Sequence, residues 1–106
     1  MSRMENQFTN TIKDDLKNEK VIYCGIASEN SETYYVGLDN DLNIIFKSKV
    51  ITRENKNNKH NEIGNRKQPM KKFCENNNKI YISNIIVLVE DKIRNLDFFL
   101  RKFKGL

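Results

Sequence analysis

A short polar turn, Asp39-Asn40-Asp41-Leu42-Asn43, holds the residues best suited to recognising a partner. The carboxylates of Asp39 and Asp41 accept hydrogen bonds, whereas the amide of Asn43 both donates and accepts them. The apolar segments on either side predict strands that would present these groups at the surface. A simple Asx turn, which needs no partner, fits the same residues.

Most of the positive charge lies in one segment. Residues 52–72 contain seven basic and two acidic residues, an excess of five that equals the formal net charge of the whole chain, +5. Many Asn residues, Gly64, Pro69 and the lack of apolar periodicity predict a long mobile basic loop over residues 52–78. Such a loop attracts phosphate without needing a defined structure, although a merely solvated loop explains the same composition. The basic residues are Arg53, Lys56, Lys59, Arg66, Lys67, Lys71 and Lys72.

Catalytic and metal-binding patterns are weak. His60 is alone in the polar segment, and Cys24 and Cys74 have neither a CxxC spacing nor a neighbouring His. We therefore expect free thiols, no metal and no cofactor. The pair IYC and YVG is faintly similar to the GIY-YIG nucleases, but the preceding Gly is absent, and a strand follows Gly37 where the nuclease has a helical Arg. The protein is predicted not to be an enzyme.

The length of 106 residues predicts one domain with a modest core, acting through its surface and not through a deep cleft. No apolar run approaches the ~20 residues of a membrane span, and the first residues lack the apolar core of a signal peptide. We expect no membrane contact and a cytosolic or nuclear location.

The predicted elements frame the polar turn. Ser2 followed by Glu5 fits a capping box, and apolar residues recur every four positions, so residues 3–17 predict an amphipathic helix. Segments 21–27, 33–38 and 42–51 predict three strands, the last with one buried face. The apolar stripe of the helix is Met4, Phe8, Ile12 and Leu16, and the buried face of the third strand is Leu42, Ile44 and Phe46.

The end of the chain has two interpretations. The runs KIYI and IIVLV, separated by Ser83 and Asn84, predict a tight hairpin, followed by a helix over residues 90–103 that begins at Glu90 and Asp91. The alternative is one helix over residues 84–103, since apolar residues there also share a helical face. The β-branched composition of IIVLV favours the strand.

Phe98 is a further candidate for binding. In the predicted helix it lies beside the basic residues Arg94, Arg101, Lys102 and Lys104. An exposed aromatic ring among cations could dock a partner or RNA, although an ordinary packing role explains the same residue.

The order of these elements resembles the Sm and Sm-like (LSm) family, small antiparallel barrels that form RNA-binding rings. The first Sm motif runs through two strands into Asp-x-x-(apolar)-Asn, and residues 21–51 match it with Tyr23, Tyr35, Gly37-Leu38-Asp39 and Leu42-Asn43. The second motif is similar to KIYI-SN-IIVLV in residues 79–89. One spliceosomal subunit of the family has an extended Lys-rich loop at the same place, and the chain resembles that member most.

The resemblance implies a mainly β fold with an N-terminal helix, a five-stranded and strongly bent antiparallel barrel, and a C-terminal helix. The basic loop would join strands three and four. The function implied is that of a non-enzymatic subunit of a heteroheptameric Sm/LSm ring, which binds uridine-rich small nuclear RNA in pre-mRNA splicing. Such a subunit works in the nucleus, passes through the cytoplasm during assembly, and pairs with its neighbours through edge strands four and five.

The resemblance also implies roles for single residues. Asn43 would hydrogen-bond a base edge and Asp39 would brace the loop. Asp41 stands where the family usually has an aromatic residue or His that stacks on the base, and Ser83 and Asn84 stand where Arg-Gly is expected. We therefore expect weaker RNA contact than in neighbouring subunits. The alternatives are an LSm-type subunit in RNA decay and a small phage or mobile-element inhibitor that binds a nucleoprotein.

Overall fold

The computed structural model describes residues 8–50 and 59–106, and for residues 59–66 it describes the backbone only. The elements follow the order α1 (Asn10–Leu16), β1 (Tyr23–Glu29), β2 (Glu32–Leu38), β3 (Ile44–Lys49), α2 (Lys59–Asn76), β4 (Ile80–Val89), β5 (Lys92–Ile93) and α3 (Leu96–Phe99). A π-helical turn, Leu100–Lys104, continues α3 directly. We call residues 96–104 the C-terminal helix.

The strands form one curled sheet in the order β3-β2-β1-β4-β5. β1 lies at the centre, antiparallel to β2 and parallel to β4. The coarse prediction of a bent five-stranded sheet with helices towards both ends of the chain is confirmed. The prediction of a purely antiparallel sheet is wrong, because α2 carries the chain from edge strand β3 to the other side of β1, where β4 runs parallel to β1.

Helices cover both faces of the sheet, which explains the nearly continuous apolar run in β1. On one face, which we call the first face, α1 and α2 pack against Cys24, Ile26 and Tyr35. On the opposite, second face, Phe99 of the C-terminal helix packs in a cluster with Val36. The buried residues therefore form two layers instead of the single core expected from the length.

α1 begins later than predicted because Thr9 caps it. The backbone of Thr9 is extended, and its Oγ1 accepts a hydrogen bond from the Ile12 backbone N–H at 3.3 Å. Phe8 and Leu16 are buried and Ile12 is partly buried, so this part of the predicted apolar stripe is confirmed. The predicted capping box and Met4 lie outside the described residues.

A bulge at Ile45 breaks the alternation predicted for the third strand. Gly37 pairs with Phe46, but the next residue of β2, Leu38, pairs with Ile44, so Ile45 is an extra residue. Phe46 packs on the first face and Ile44 on the second. The prediction that both lie on one buried face is wrong, because the bulge sends them to opposite faces.

The predicted basic loop is largely a helix, since α2 spans Lys59–Asn76. Pro69 inside this helix removes one backbone donor, which ordinarily costs about 3 kcal/mol. Met70, Phe73 and Cys74 follow a spacing of i, i+3, i+4 and are buried on the first face. Their packing offsets the poor helix propensity of the segment.

Ser83 and Asn84 lie inside β4 and not in a hairpin turn, because β4 is continuous over Ile80–Val89. The pairing of β4 with β1 is irregular at these two residues. β1 advances by two residues where β4 advances by four, from Ile82 to Ile86. The predicted hairpin at this position is therefore wrong.

The turn between the last strands instead lies at Glu90 and Asp91, whose φ values are +51° and +66°. Two successive residues of positive φ make a tight hairpin turn whose twist suits antiparallel strands. The C-terminal helix starts at Leu96, so neither the start at Glu90 nor the alternative helix over residues 84–103 is correct.

Asp91 also belongs to an ionic cluster that joins β3 to the centre of the sheet. The Lys47 ammonium donates to Glu29 Oε1 at 2.9 Å and to Asp91 Oδ1, and the Asp91 backbone N–H donates to Glu29 Oε2 at 2.9 Å. The Asp91 N–H and then Lys47 hold the pKa of Glu29 below its ordinary value of 4.5, and the carboxylates of Asp91 and Glu29 raise the pKa of Lys47. The ionised cluster thus ties β1, β3 and the β4–β5 turn together.

Glu29→Gln should destabilise the protein at neutral pH, and the difference from the natural chain should shrink on acidification. A lowered pKa in the folded state contributes stability that is present above about pH 4.5 and is lost as the pH falls through the lowered value. Urea unfolding of both chains at pH 7 and at pH 3 measures this. Glu32→Gln is the control, because the 3.3 Å pair of Glu32 with Lys49 is exposed on both sides. A difference independent of pH would contradict the assigned role of Glu29.

The two cysteines meet where α2 packs on β1. Cys24 and Cys74 are both buried free thiols, as the sequence predicts. The hydrogen bond between them and the burial of the site raise the pKa of the Cys74 thiol. The two thiols are part of the buried cluster between the crossover helix and the central strand.

Candidate nucleic-acid interface

Asp39 organises the polar turn. Its Oδ1 accepts hydrogen bonds from the backbone N–H groups of Asp41 at 2.9 Å and Asn43 at 2.8 Å, and its Oδ2 accepts from Asn43 Nδ2 at 3.2 Å. Partial burial opposes ionisation, but the hydrogen bonds from Asn43 and Asp41 outweigh it and lower the pKa of Asp39. The geometry therefore gives Asp39 a bracing position in an Asx-type turn.

Leu42 anchors the same turn to the core. It adopts φ = +68°, which is unusual for a side chain branched at Cγ, and it is buried with the second-face cluster. The buried Leu42 leaves its neighbours Asp41 and Asn43 exposed on the surface. The turn is thus anchored by a buried leucine and polar at its tip.

Asn43 retains unused hydrogen-bonding capacity. One N–H of its exposed amide is directed to Asp39, and no other hydrogen bond of this side chain is formed with the described residues. The second N–H and the carbonyl oxygen can therefore bind a donor–acceptor edge such as that of a base. Asp41 offers only carboxylate oxygens, which neither stack on a base nor attract phosphate.

The C-terminal helix contacts both polar segments that the sequence singled out. Lys104 Nζ donates to Asn40 Oδ1 at 3.2 Å, and Lys102 Nζ donates to Asn84 Oδ1 at 2.7 Å. Ser83 is exposed beside Asn84 in β4. The 39–43 turn and the 83–84 segment are therefore both linked to this helix by hydrogen bonds. Sequence reasoning missed these links, because the partners are 64 and 18 residues apart in the chain.

An exposed aromatic ring lies on the same helix. Phe98 is 46% exposed, and Lys102 Nζ lies 5.7 Å from the centroid of its ring. Together with Arg101 these residues line a shallow hollow. An exposed ring flanked by two cations is the combination on which single-stranded nucleic acids stack and bind their phosphates.

Of the predicted basic residues, the three whose side chains the structure describes do not join this surface. Lys67, Lys71 and Lys72 lie on α2, which packs on the first face, opposite the C-terminal helix. Lys59 and Arg66 belong to the part of α2 described by its backbone, and Arg53 and Lys56 lie outside the described residues. Charge is therefore present on both sides of the sheet.

Other kinds of site find no support in residues 8–50 and 59–106. No group of three or more His, Cys, Asp or Glu side chains is arranged there to hold a metal ion. In the same part of the chain, no helix has the length and apolar character needed to cross a membrane. Comparison with known proteins yields no matching family model, curated protein or solved structure.

Proposed function

We propose that the protein is a non-enzymatic RNA-binding protein whose interface combines the 39–43 turn, Asn84 and the C-terminal helix. One observation carries the proposal: two lysines of one helix bind the two polar segments, while the same helix exposes an aromatic ring. The amide, the ring and the cations supply the three kinds of contact that single-stranded RNA uses.

The interface suits a short stretch of single strand. A base stacks on Phe98, the guanidinium of Arg101 and the ammonium of Lys102 attract its phosphates, and the free amide groups of Asn43 bind the edge of another base. Phe98 and Lys104 are six residues apart, roughly 9 Å along a helix at 1.5 Å per residue. A few nucleotides therefore cover the whole surface.

The narrower proposal is a subunit of a heteromeric Sm/LSm ring that binds uridine-rich small nuclear RNA in the nucleus. Its support is the sequence resemblance in residues 21–51 and two edges of the sheet that are not paired by any of the described strands. β3 forms one edge. At the other, β5 pairs only with Leu88 and Val89, so the described strands leave the outer side of the first half of β4 free. Two opposite edges allow head-to-tail pairing with neighbouring subunits. Residues 80–82 of the run KIYI and the whole of IIVLV, expected to be two pairing strands, lie in the single strand β4.

Purification from the native source tests this assembly. Stable co-purification of Sm-type subunits together with a uridine-rich RNA is the expected result, because open strand edges favour permanent partners. A monomer that forms no complex with such subunits would exclude the ring assembly. RNA binding by the protein is then measured directly.

Asn43→Ala should weaken the binding of uridine-rich single-stranded RNA by roughly 2- to 10-fold, the cost of about one hydrogen bond to a base. The chain should remain folded, because the two backbone hydrogen bonds to Asp39 persist. Fluorescence anisotropy with a labelled oligouridine measures the change. Asn10→Ala is the matched control, since Asn10 is exposed on α1 at the first face. Equal losses in both variants would remove the turn from the interface, and no RNA binding by the natural chain would overturn the function.

A further inference from the structure

A groove on the first face lies between α1 and α2. It has a volume of about 420 Å³, within the range of ligand sites in proteins. Phe8 and Phe73 form its floor, with ring centroids 5.7 Å apart and an edge-to-face orientation. The groove is separated from the C-terminal helix by the whole thickness of the sheet, because the two lie on opposite faces.

Three lysines line this groove, and among the residues whose side chains the structure describes no carboxylate lines it. Lys13 and Lys17 are four residues apart and share one side of α1, and Lys72 faces them from α2. Lys13 Nζ lies 5.3 Å from the centroid of the Phe8 ring. Lys17 contacts Asp14 at 3.9 Å, with both side chains more than half exposed, so this pair neutralises little of its charge. Lys72 is exposed and forms no ion pair with the described residues.

The walls of the groove are held by polar contacts. Asn77 Nδ2 donates to the Phe73 carbonyl at 2.8 Å and thereby fixes the end of α2. Lys79 Nζ donates to the carbonyls of Asn18 and Val21, both at 2.8 Å. These bonds attach the segment after α1 to the start of β4, so the two lysines of α1 are presented by a fixed support.

We propose that this groove binds the phosphate groups of single-stranded RNA, as a second contact that rests on the RNA binding proposed above. Three ammonium groups around a concave site attract a polyanion and fit consecutive phosphates. The RNA then meets both faces of the sheet, with base contacts at the C-terminal helix and backbone contacts in the groove.

The salt dependence of RNA binding distinguishes this contact from attraction of RNA by the net positive charge of the whole protein. The test compares the natural chain with Lys13→Gln/Lys17→Gln/Lys72→Gln, using oligouridine long enough to reach both faces. Each phosphate contact on a single strand contributes about 0.7 to the slope of log affinity against log salt. The triple variant should therefore lose about 2 from this slope, with a larger loss of affinity at low salt than at high salt.

The control is Lys20→Gln/Lys49→Gln/Lys92→Gln, which removes the same charge from exposed lysines outside the groove. Its slope should stay within about one contact of the natural chain, and urea unfolding shows whether both variants remain folded. Equal slopes in the groove variant and the natural chain would overturn the proposed phosphate binding in the groove. An equal loss of slope in the groove variant and the control variant would overturn it too. Neither result affects the proposed function, which fails only if the natural chain binds no RNA. If the triple variant is unfolded, an NMR titration of the natural chain with the dinucleotide UpU replaces this test. Changes in the amide chemical shifts of Lys13, Lys17 and Lys72 would support phosphate binding in the groove, and unchanged shifts would overturn it.

Discussion

Phe99→Ala should lower the free energy of unfolding by about 3–5 kcal/mol, whereas Phe98→Ala should change it little. The two rings are adjacent in sequence, but Phe99 is 1% exposed and Phe98 is 46% exposed. Phe99 also stacks on Phe103, which in turn meets Tyr23 of β1 edge-to-face at 5.3 Å. Removal of the Phe99 ring leaves a cavity beneath the C-terminal helix and frees that helix from the sheet.

The same pair of variants tests the interface. Phe98→Ala keeps the fold and removes the stacking surface, which is worth about 1–3 kcal/mol per base, so RNA affinity should fall roughly 5- to 150-fold. Urea unfolding gives the stability of each variant, and anisotropy with oligouridine gives the affinity of Phe98→Ala. Normal RNA binding by Phe98→Ala would remove the ring from the interface. A stable Phe99→Ala would show that the helix is not held by this contact.

Gly37→Val should destabilise the protein by about 1–3 kcal/mol or more. A Cβ atom at position 37 would lie 2.9 Å from Leu16 Cδ2 and 3.1 Å from Val21 Cγ1, both in the buried core. Gly37 matches a residue of the Sm motif, but the structure supplies a packing reason for it, because the end of α1 lies directly on β2. The change should therefore affect folding before it affects RNA.

A double-mutant cycle separates crowding from other effects of the substitution. Leu16→Ala removes the nearest atom, so Gly37→Val should cost less in that background than in the natural chain. Chemical unfolding of the four proteins yields the coupling energy. An additive result would show that contact with Leu16 is not the cause of the destabilisation.

The first half of the fold was accessible from sequence because its signals are local. Asn30 and Ser31 with positive φ close the first hairpin, and Asp39 forms its turn with residues two and four positions away. These short-range contacts are determined by neighbouring residues in the chain.

The second half depends on contacts between distant residues. α2 has few apolar residues and includes Pro69. It is helical because Met70, Phe73 and Cys74 pack on the first face of the sheet and are buried there. Ser83 and Asn84 are turn-forming residues, yet pairing with β1 keeps them in a strand. The sequence did single out Phe98 and its basic neighbours. The links of the C-terminal helix to the 39–43 turn and to Asn84 in the proposed interface follow from the packing of Phe99 and could not be read from the spacing of the lysines.

The parallel pairing of β1 with β4 has a consequence for the order of folding. β1 and β2 close a two-residue hairpin, whereas Tyr23 of β1 meets Ile80 of β4 only after the whole crossover through α2 has been placed. Distant pairings of this kind form late, since the chain loses loop entropy before the contact stabilises it. During synthesis the apolar central strand therefore has one unpaired edge until β4 arrives, and in that interval the growing chain is most open to association with other molecules.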